Sequence, residues 1–357
     1  MLTNRIGRPP LSLLVALLLK IVNQGHYAIA VFIVLSGYVL MLPVARSADG
    51  MLRGGIAGFI KRRSIRILPT YYAALFIFSG LIYYTQVKQI NTEFATQMNS
   101  KDFILHLFLL HNLSPSSVTT IDGPMWSLAT EWQIYFVFAI VLLPIYRRMG
   151  IYTSMLAAFI LSLVPHFILP TPTNFDWACP WYLALFSCGM FAACVGFGTL
   201  RHGDALRSRV PWGIIAFGAL CTVLFFAYAP LPTNLAFLRE QWVLDTTCGF
   251  SATAFLLYCT GHLQTLSLAD RSNAVLRFLQ SRPVVGLGIF SYTLYLFNGP
   301  FIDFAVRMIR HFHLTIALQW LLGFSTLPFV VALCYLCYLF CERPFTNYSS
   351  GKAKSRP

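Results

Sequence analysis

Four stretches of this sequence place polar groups at spacings that could do chemistry. The first runs Phe59-Ile60-Lys61-Arg62-Arg63-Ser64-Ile65-Arg66-Ile67-Leu68-Pro69. Arg62 and Arg66 are four apart and Arg63 and Arg66 three apart, so on a helix they are neighbours. Like charges packed together cost energy unless an anion joins them, and a guanidinium fork grips phosphate in two-pronged fashion. The competing reading is topological: basic residues beside an apolar span hold the chain on the cytosolic side. The second stretch opens at Gly123-Pro124-Met125-Trp126 and continues to Tyr135. Ser127, Glu131 and Tyr135 recur every four residues and share one helical face. A carboxylate inside an apolar run faces a bundle interior or a watery cavity, as a functional group or as an interhelical clamp.

The third stretch is Ser291 to Pro300, where Ser291, Tyr295 and Asn298 form a polar stripe at helical spacing. It reads as helix–helix packing or as substrate contact, and Pro300 removes one helical hydrogen bond. The fourth is Gly25-His26 to Ser36-Gly37-Tyr38. Ser36-Gly37 allows close helix approach. His26, at the outer start of a span, is a structural histidine or a base. His106 and His111 stand in the same position, and Asp245 and Asp303 read as interfacial caps, clamps or functional carboxylates. The nine cysteines all lie from Cys179 onward. Cys334, Cys337 and Cys341 share a helical face without a second cluster, so no structural metal is expected there and packing explains them.

The elements that must hold these groups are membrane helices. Of 357 residues 57% are hydrophobic and 11% charged, against roughly 25% charged in a soluble domain. A spanning helix needs about 20 mostly apolar residues. Such runs lie at 27–43, 69–85, 126–146, 151–169, 177–197, 212–228, 245–261, 285–309 and 314–340. The expected fold is all-α, a polytopic transmembrane helical bundle of about nine spans. Residues 103–110 and 11–22 are apolar but too short to cross, hence re-entrant or interfacial. The formal net charge of +14 sits between spans. It suits the positive-inside rule, an anionic lipid surface or a phosphate-bearing cofactor, and not nucleic acid. Arg46, Arg53, Lys61, Arg62, Arg63 and Arg66 are read as one loop. Arg147, Arg148, Arg201, Arg207, Arg209, Arg271, Arg277 and Arg282 follow later spans on the same, cytosolic, side. The division is a connector at 1–20, one membrane domain at 21–345 and a basic cytosolic tail at 346–357.

These blocks, in this order, resemble the acyltransferase-3 family of membrane O-acyltransferases. The matching pieces are Val31 to Tyr38, Phe59 to Pro69 with its Arg-x-x-Arg core, Trp126 to Tyr135, Ser291 to Leu296, and Glu342-Arg343-Pro344. Tyr38 and the preceding Gly25-His26 look like the fungal members. The resemblance implies transfer of an acyl group, often acetyl, from acyl-CoA to a hydroxyl of a sugar, a lipid or a small secondary metabolite. It implies that Arg63 and Arg66, with Arg62, hold CoA phosphates at the cytosolic face. Glu131 would orient or pair with a base, and Trp126, Ser127, Tyr135, Tyr295 and Asn298 would supply contacts and hydrogen bonds. The implied partners are acyl-CoA, a hydroxyl-bearing acceptor and membrane lipid, with no metal. The site is an integral multi-pass membrane, with endoplasmic reticulum and plasma membrane both open.

Two features depart from the family pattern. The family opens with an Asp-Gly-Leu-Arg-Gly stretch and a first span ending in histidine, its favoured catalytic residue. This sequence starts beyond that point, so either upstream sequence supplies the histidine or the usual base is lacking. In the second case His26 is the replacement, on the far side from the arginines. The late block commonly carries histidine where this chain has Asn298. An inactive or truncated family member is the second reading, and a small-molecule or lipid transporter the third.

Overall fold

The computed structural model describes residues 25–47, 49–88, 98–171, 173–198, 200, 203–228, 233–265, 273–312 and 314–345. The connector at 1–20, the run at 11–22, Arg201, Arg271 and the basic tail at 346–357 lie outside them. Every regular element among the described residues is helical. In chain order they are α1 (Gly25–Arg46), α2 (Gly55–Val87), α3 (Ser100–Leu107), α4 (Met125–Val137), α5 (Leu143–Met149), α6 (Ile151–Ile168) and α7 (Tyr182–Phe197). There follow α8 (Gly203–Arg209), α9 (Trp212–Tyr228), α10 (Gln241–Thr265), α11 (Ala274–Leu279), α12 (Arg282–Ile289), α13 (Ser291–His311) and α14 (Ile316–Cys341). A π-helical turn, Phe138–Leu142, joins α4 to α5.

Among the described residues six helices are long and apolar enough to cross a membrane, and eight if each of two bent pairs counts as one span. The chain is an all-α, multi-pass integral membrane protein. The bends account for part of the difference from the nine expected runs. Residues 285–309 read as one span, but α12 and α13 meet at 75° around Phe290. Pro300, by contrast, lies inside an unbroken α13. The run at 245–261 forms α10, which is long but falls outside the six. The basic run expected in a loop is helical: Lys61, Arg62, Arg63 and Arg66 occupy the second and third turns of α2, which starts at Gly54-Gly55 with both glycines at positive φ.

The chain forms two compact units. One contains the described parts of Lys61–Ala129 and Ser281–Pro357. There Thr70 Oγ1 donates to the Cys341 carbonyl at 3.1 Å, and the Tyr292 hydroxyl donates to the Ile67 carbonyl at 3.0 Å. These bonds tie α2 to both late helices. The short apolar segment is α3, started by a capping box in which Asn99 and Asp102 satisfy each other's backbone N–H. Tyr71 and Tyr72 donate to its last carbonyls, His106 and Leu107, both at 2.9 Å.

The other unit contains the described parts of His26–Ile60 and Thr130–Gln280. Its central helix is α7, buried on nearly every side. The closeness that Ser36-Gly37 allows is realised against this helix. A Cβ on Gly37 would collide with the Phe186 carbonyl, and one on Gly189 with the Val34 carbonyl. The two backbones touch, so only glycine fits at either point. Arg207 closes the far end of α7 by donating to the Val195 and Gly196 carbonyls in its last turn, at 2.9 and 2.7 Å.

Candidate functional site

In the second unit the polar face of α4 meets α1. Glu131 is 2% exposed. Its Oε1 accepts a hydrogen bond from Ser36 Oγ at 2.8 Å and another from the Tyr135 hydroxyl at 2.5 Å. The two hydroxyl oxygens are 3.5 Å apart. Tyr135 stands one turn along the same helix, as the i, i+4 spacing requires, and its ring packs edge-to-face with Phe59 at 6.1 Å between centroids. A buried carboxylate holding two hydroxyls replaces part of the hydration it lost. The same geometry polarises those hydroxyls. Ser36, noted in the sequence only for close packing, is the partner that sequence reasoning missed.

In the first unit Ser127, on the opening turn of α4, bonds the Tyr295 hydroxyl of α13 at 2.8 Å and donates to the Pro124 carbonyl at 3.1 Å. Two residues read from separate stretches are thus brought together. Trp126 and Asn298 are half-buried. Asn298 is one turn past Tyr295, and the opening serine of its stripe, Ser291, is spent on the Gly288 carbonyl.

The arginine cluster also belongs to the first unit. Arg62 and Arg63 are half-buried and Arg66 exposed on successive turns of α2. Arg66 lies within electrostatic reach of Glu342, just beyond α14. Glu342 is buried, and its Oε2 accepts from the Thr293 hydroxyl at 2.5 Å and the Thr293 N–H at 3.2 Å. Burial pushes this carboxyl above the usual range, while the Thr293 bonds and Arg66 pull it back. The Arg-x-x-Arg core, the late block and the closing Glu-Arg-Pro therefore form one linked group.

His106 and His111 are buried and stacked, with ring centroids 3.7 Å apart. Burial lowers both, His111 to about 3. A neutral stacked pair packs the connection between spans. Asp303 is buried within α13.

His26 does not join Glu131. It lies ten residues before Ser36 on α1, about 15 Å at 1.5 Å per residue. Its Nε2 instead meets Asp245 Oδ2 of α10 at 3.0 Å, the Tyr182 hydroxyl at 3.2 Å and the Gln241 amide at 2.6 Å.

Membrane-crossing helices that bury a carboxylate–hydroxyl group define a multi-pass membrane protein with polar chemistry inside its bundle. The family of Acyl_transf_3, described as an acyltransferase domain, matches residues 4–339. The chain belongs to this acyltransferase-3 family. Relatives include the O-acetyltransferase OatA of Staphylococcus aureus strains NCTC 8325 / PS 47 and COL. Each is 24% identical over 307 residues, which cover 79% of this chain and 47% of the relative. The chain thus spans about half the length of the curated relatives it matches. No solved structure matches.

Proposed function

We propose that this protein transfers an acyl group, acetyl foremost, from acyl-CoA to a hydroxyl-bearing acceptor at the membrane. The observation that carries the reading is the buried Glu131 with Ser36 and Tyr135 on one oxygen. An alcohol is a weak nucleophile near neutral pH and needs a positioned base. Glu131 is the anion that orients such a base and balances the charge it gains with the proton. A hydroxyl donor such as Tyr135 suits the oxygen that becomes negative when the thioester carbonyl is attacked. Arg62, Arg63 and Arg66 suit the phosphates of CoA, and sugars, lipids and small metabolites suit as acceptors. The relatives' name, O-acetyltransferase, supports acetyl and oxygen as the group and the atom.

The test follows radiolabel from acetyl-CoA into extractable acceptors in membranes that carry the protein. Label should appear with the wild type and fall with Arg63→Ala or Arg66→Ala. Each substitution weakens acyl-CoA binding about tenfold or more, since a charge-assisted hydrogen bond is worth about 1.5–3 kcal/mol. Lysine at either site restores only part of the loss, because it lacks the fork. Unchanged CoA affinity with both arginines removed leaves the cluster as a topology signal. No labelled acceptor from active membranes refutes the donor assignment.

A further inference from the structure

The surroundings of His26 are not explained by acyl transfer. Three helix starts converge there within the second unit. His26 is the second residue of α1, Cys179 and Trp181 directly precede α7, and Asp245 lies one turn into α10. A ring nitrogen of His26, the Cys179 sulfur and a carboxylate oxygen of Asp245 all lie within 4.8 Å of one another. We propose that His26, Cys179 and Asp245 form a binding site for a divalent cation of borderline softness, zinc(II) foremost.

Four features support a cation. The first is crowding at one atom. His26 Nε2 faces Asp245 Oδ2 at 3.0 Å, Tyr182 Oη at 3.2 Å and Gln241 Nε2 at 2.6 Å. One ring nitrogen either donates a single proton or offers a single lone pair. If it donates to Asp245 it opposes the amide N–H of Gln241. If it accepts from Gln241 it sets a lone pair against the carboxylate. A cation among these atoms uses the lone pairs together. With its amide turned over, Gln241 presents Oε1 and becomes a fourth, neutral ligand.

The second feature is the carboxylate. Asp245 is 0% exposed, and its Oδ2 accepts from Trp181 Nε1 at 2.9 Å. Its Oδ1 is buried without a hydrogen-bond partner among the described residues, which is costly for a charged group. The third is charge. Neutral imidazole, thiolate and carboxylate carry two negative charges, which a divalent ion cancels. Binding releases one proton, from the Cys179 thiol to solvent. The fourth is distance: with Zn–N and Zn–O near 2.0–2.2 Å and Zn–S near 2.3 Å, tetrahedral ligands stand about 3.3–3.6 Å apart, against 3.0 Å between His26 Nε2 and Asp245 Oδ2 and at most 4.8 Å between any two of the three ligand atoms. Cys179 itself sits at φ 50°, in the left-handed region, where a residue with a Cβ is uncommon.

The test reads metal, not turnover, so its outcome is separate from that of the acyl-transfer reading. Untagged full chain in detergent is saturated with zinc or cobalt(II), desalted and assayed by mass spectrometry and absorption. The expected result is one ion per chain, with a thiolate-to-cobalt charge-transfer band. Cys179→Ser removes the band, and Asp245→Asn lowers affinity at least about tenfold. Cys188→Ser, a buried cysteine outside the cluster, leaves both unchanged. If Cys179→Ser fails to fold, alkylation of Cys179 in the wild type decides: zinc should slow it at least about tenfold, and a chelator should restore it. A folded wild type without stoichiometric metal overturns the proposal. So does a cobalt band that survives Cys179→Ser, or an alkylation rate indifferent to zinc.

Discussion

Glu131 and Asp245 are both carboxylates buried in one unit, yet they are served in opposite ways. Glu131 has hydroxyls turned toward it from its own helix and from α1, both on Oε1. Asp245 gathers an indole N–H and an imidazole nitrogen on one oxygen, and its other oxygen meets no hydrogen-bond partner among the described residues. Neutral hydroxyls can turn to follow the carboxylate they serve, so the surroundings of Glu131 adjust by rotation alone. The Asp245 cluster is held by an imidazole, an indole and an amide, planar groups whose donors and acceptors have fixed directions. The first arrangement is adjustable and the second is fixed in direction.

The largest expected effect separates the two in activity. Glu131→Gln keeps size and hydrogen bonding but not charge. Turnover should fall by about 10²–10⁴, the usual worth of acid–base catalysis, while the thermal midpoint stays near wild type. A fully active Glu131→Gln would reduce this group to an interhelical clamp. The next effect runs the other way. Asp245→Asn should cost stability by about 1.5–3 kcal/mol, the worth of a charge-assisted bond, and by more than Glu131→Gln does. Thermal unfolding in detergent measures this, and equal midpoints for the two variants would erase the contrast. Smallest is Tyr135→Phe. It removes one hydroxyl and leaves Ser36 on the same oxygen, a loss of about 0.5–1.5 kcal/mol and a few-fold in rate. A loss as large as that of Glu131→Gln would move Tyr135 from support to direct participation.

The two carboxylates also differ in how visible they were before the structure. Glu131 was legible because its partner Tyr135 is four residues away, and helical spacing alone puts both on one face. Ser36 was not tied to it, since nothing in a sequence pairs residues 95 apart. Asp245 read as a cap or clamp, and the cysteines were weighed by their spacing to one another. The partners of Asp245 lie at positions 26, 179 and 181, and Cys179 adopts a backbone that cysteine seldom takes, so no local pattern announces the cluster. His26 reads in the sequence as a structural histidine or a replacement base, and its place fifteen ångströms or so from Ser36 sets it apart from Glu131. In the fold, apolar runs gave the helices well. The 75° bend at Phe290 was hidden because hydropathy is blind to direction. The arginines were placed on neighbouring helical turns, as spacing demands, although they sit inside α2 and not in a loop.

The glycine contacts between α1 and α7 have a mechanical consequence. Where backbone meets backbone at Gly37 and Gly189, neither helix can roll or slide by a residue without collision. The pair moves as a single strut. Ser36 and His26 ride on it at a fixed interval, so a ligand cannot draw one toward the other. Any breathing that admits or releases a molecule in this unit has to come from elements outside the strut. The 70° elbow between α8 and α9 and the π-helical turn after α4 are joints of that kind. Gly37→Ala would not just loosen the packing; it would spring the strut open and change which parts of the unit can flex.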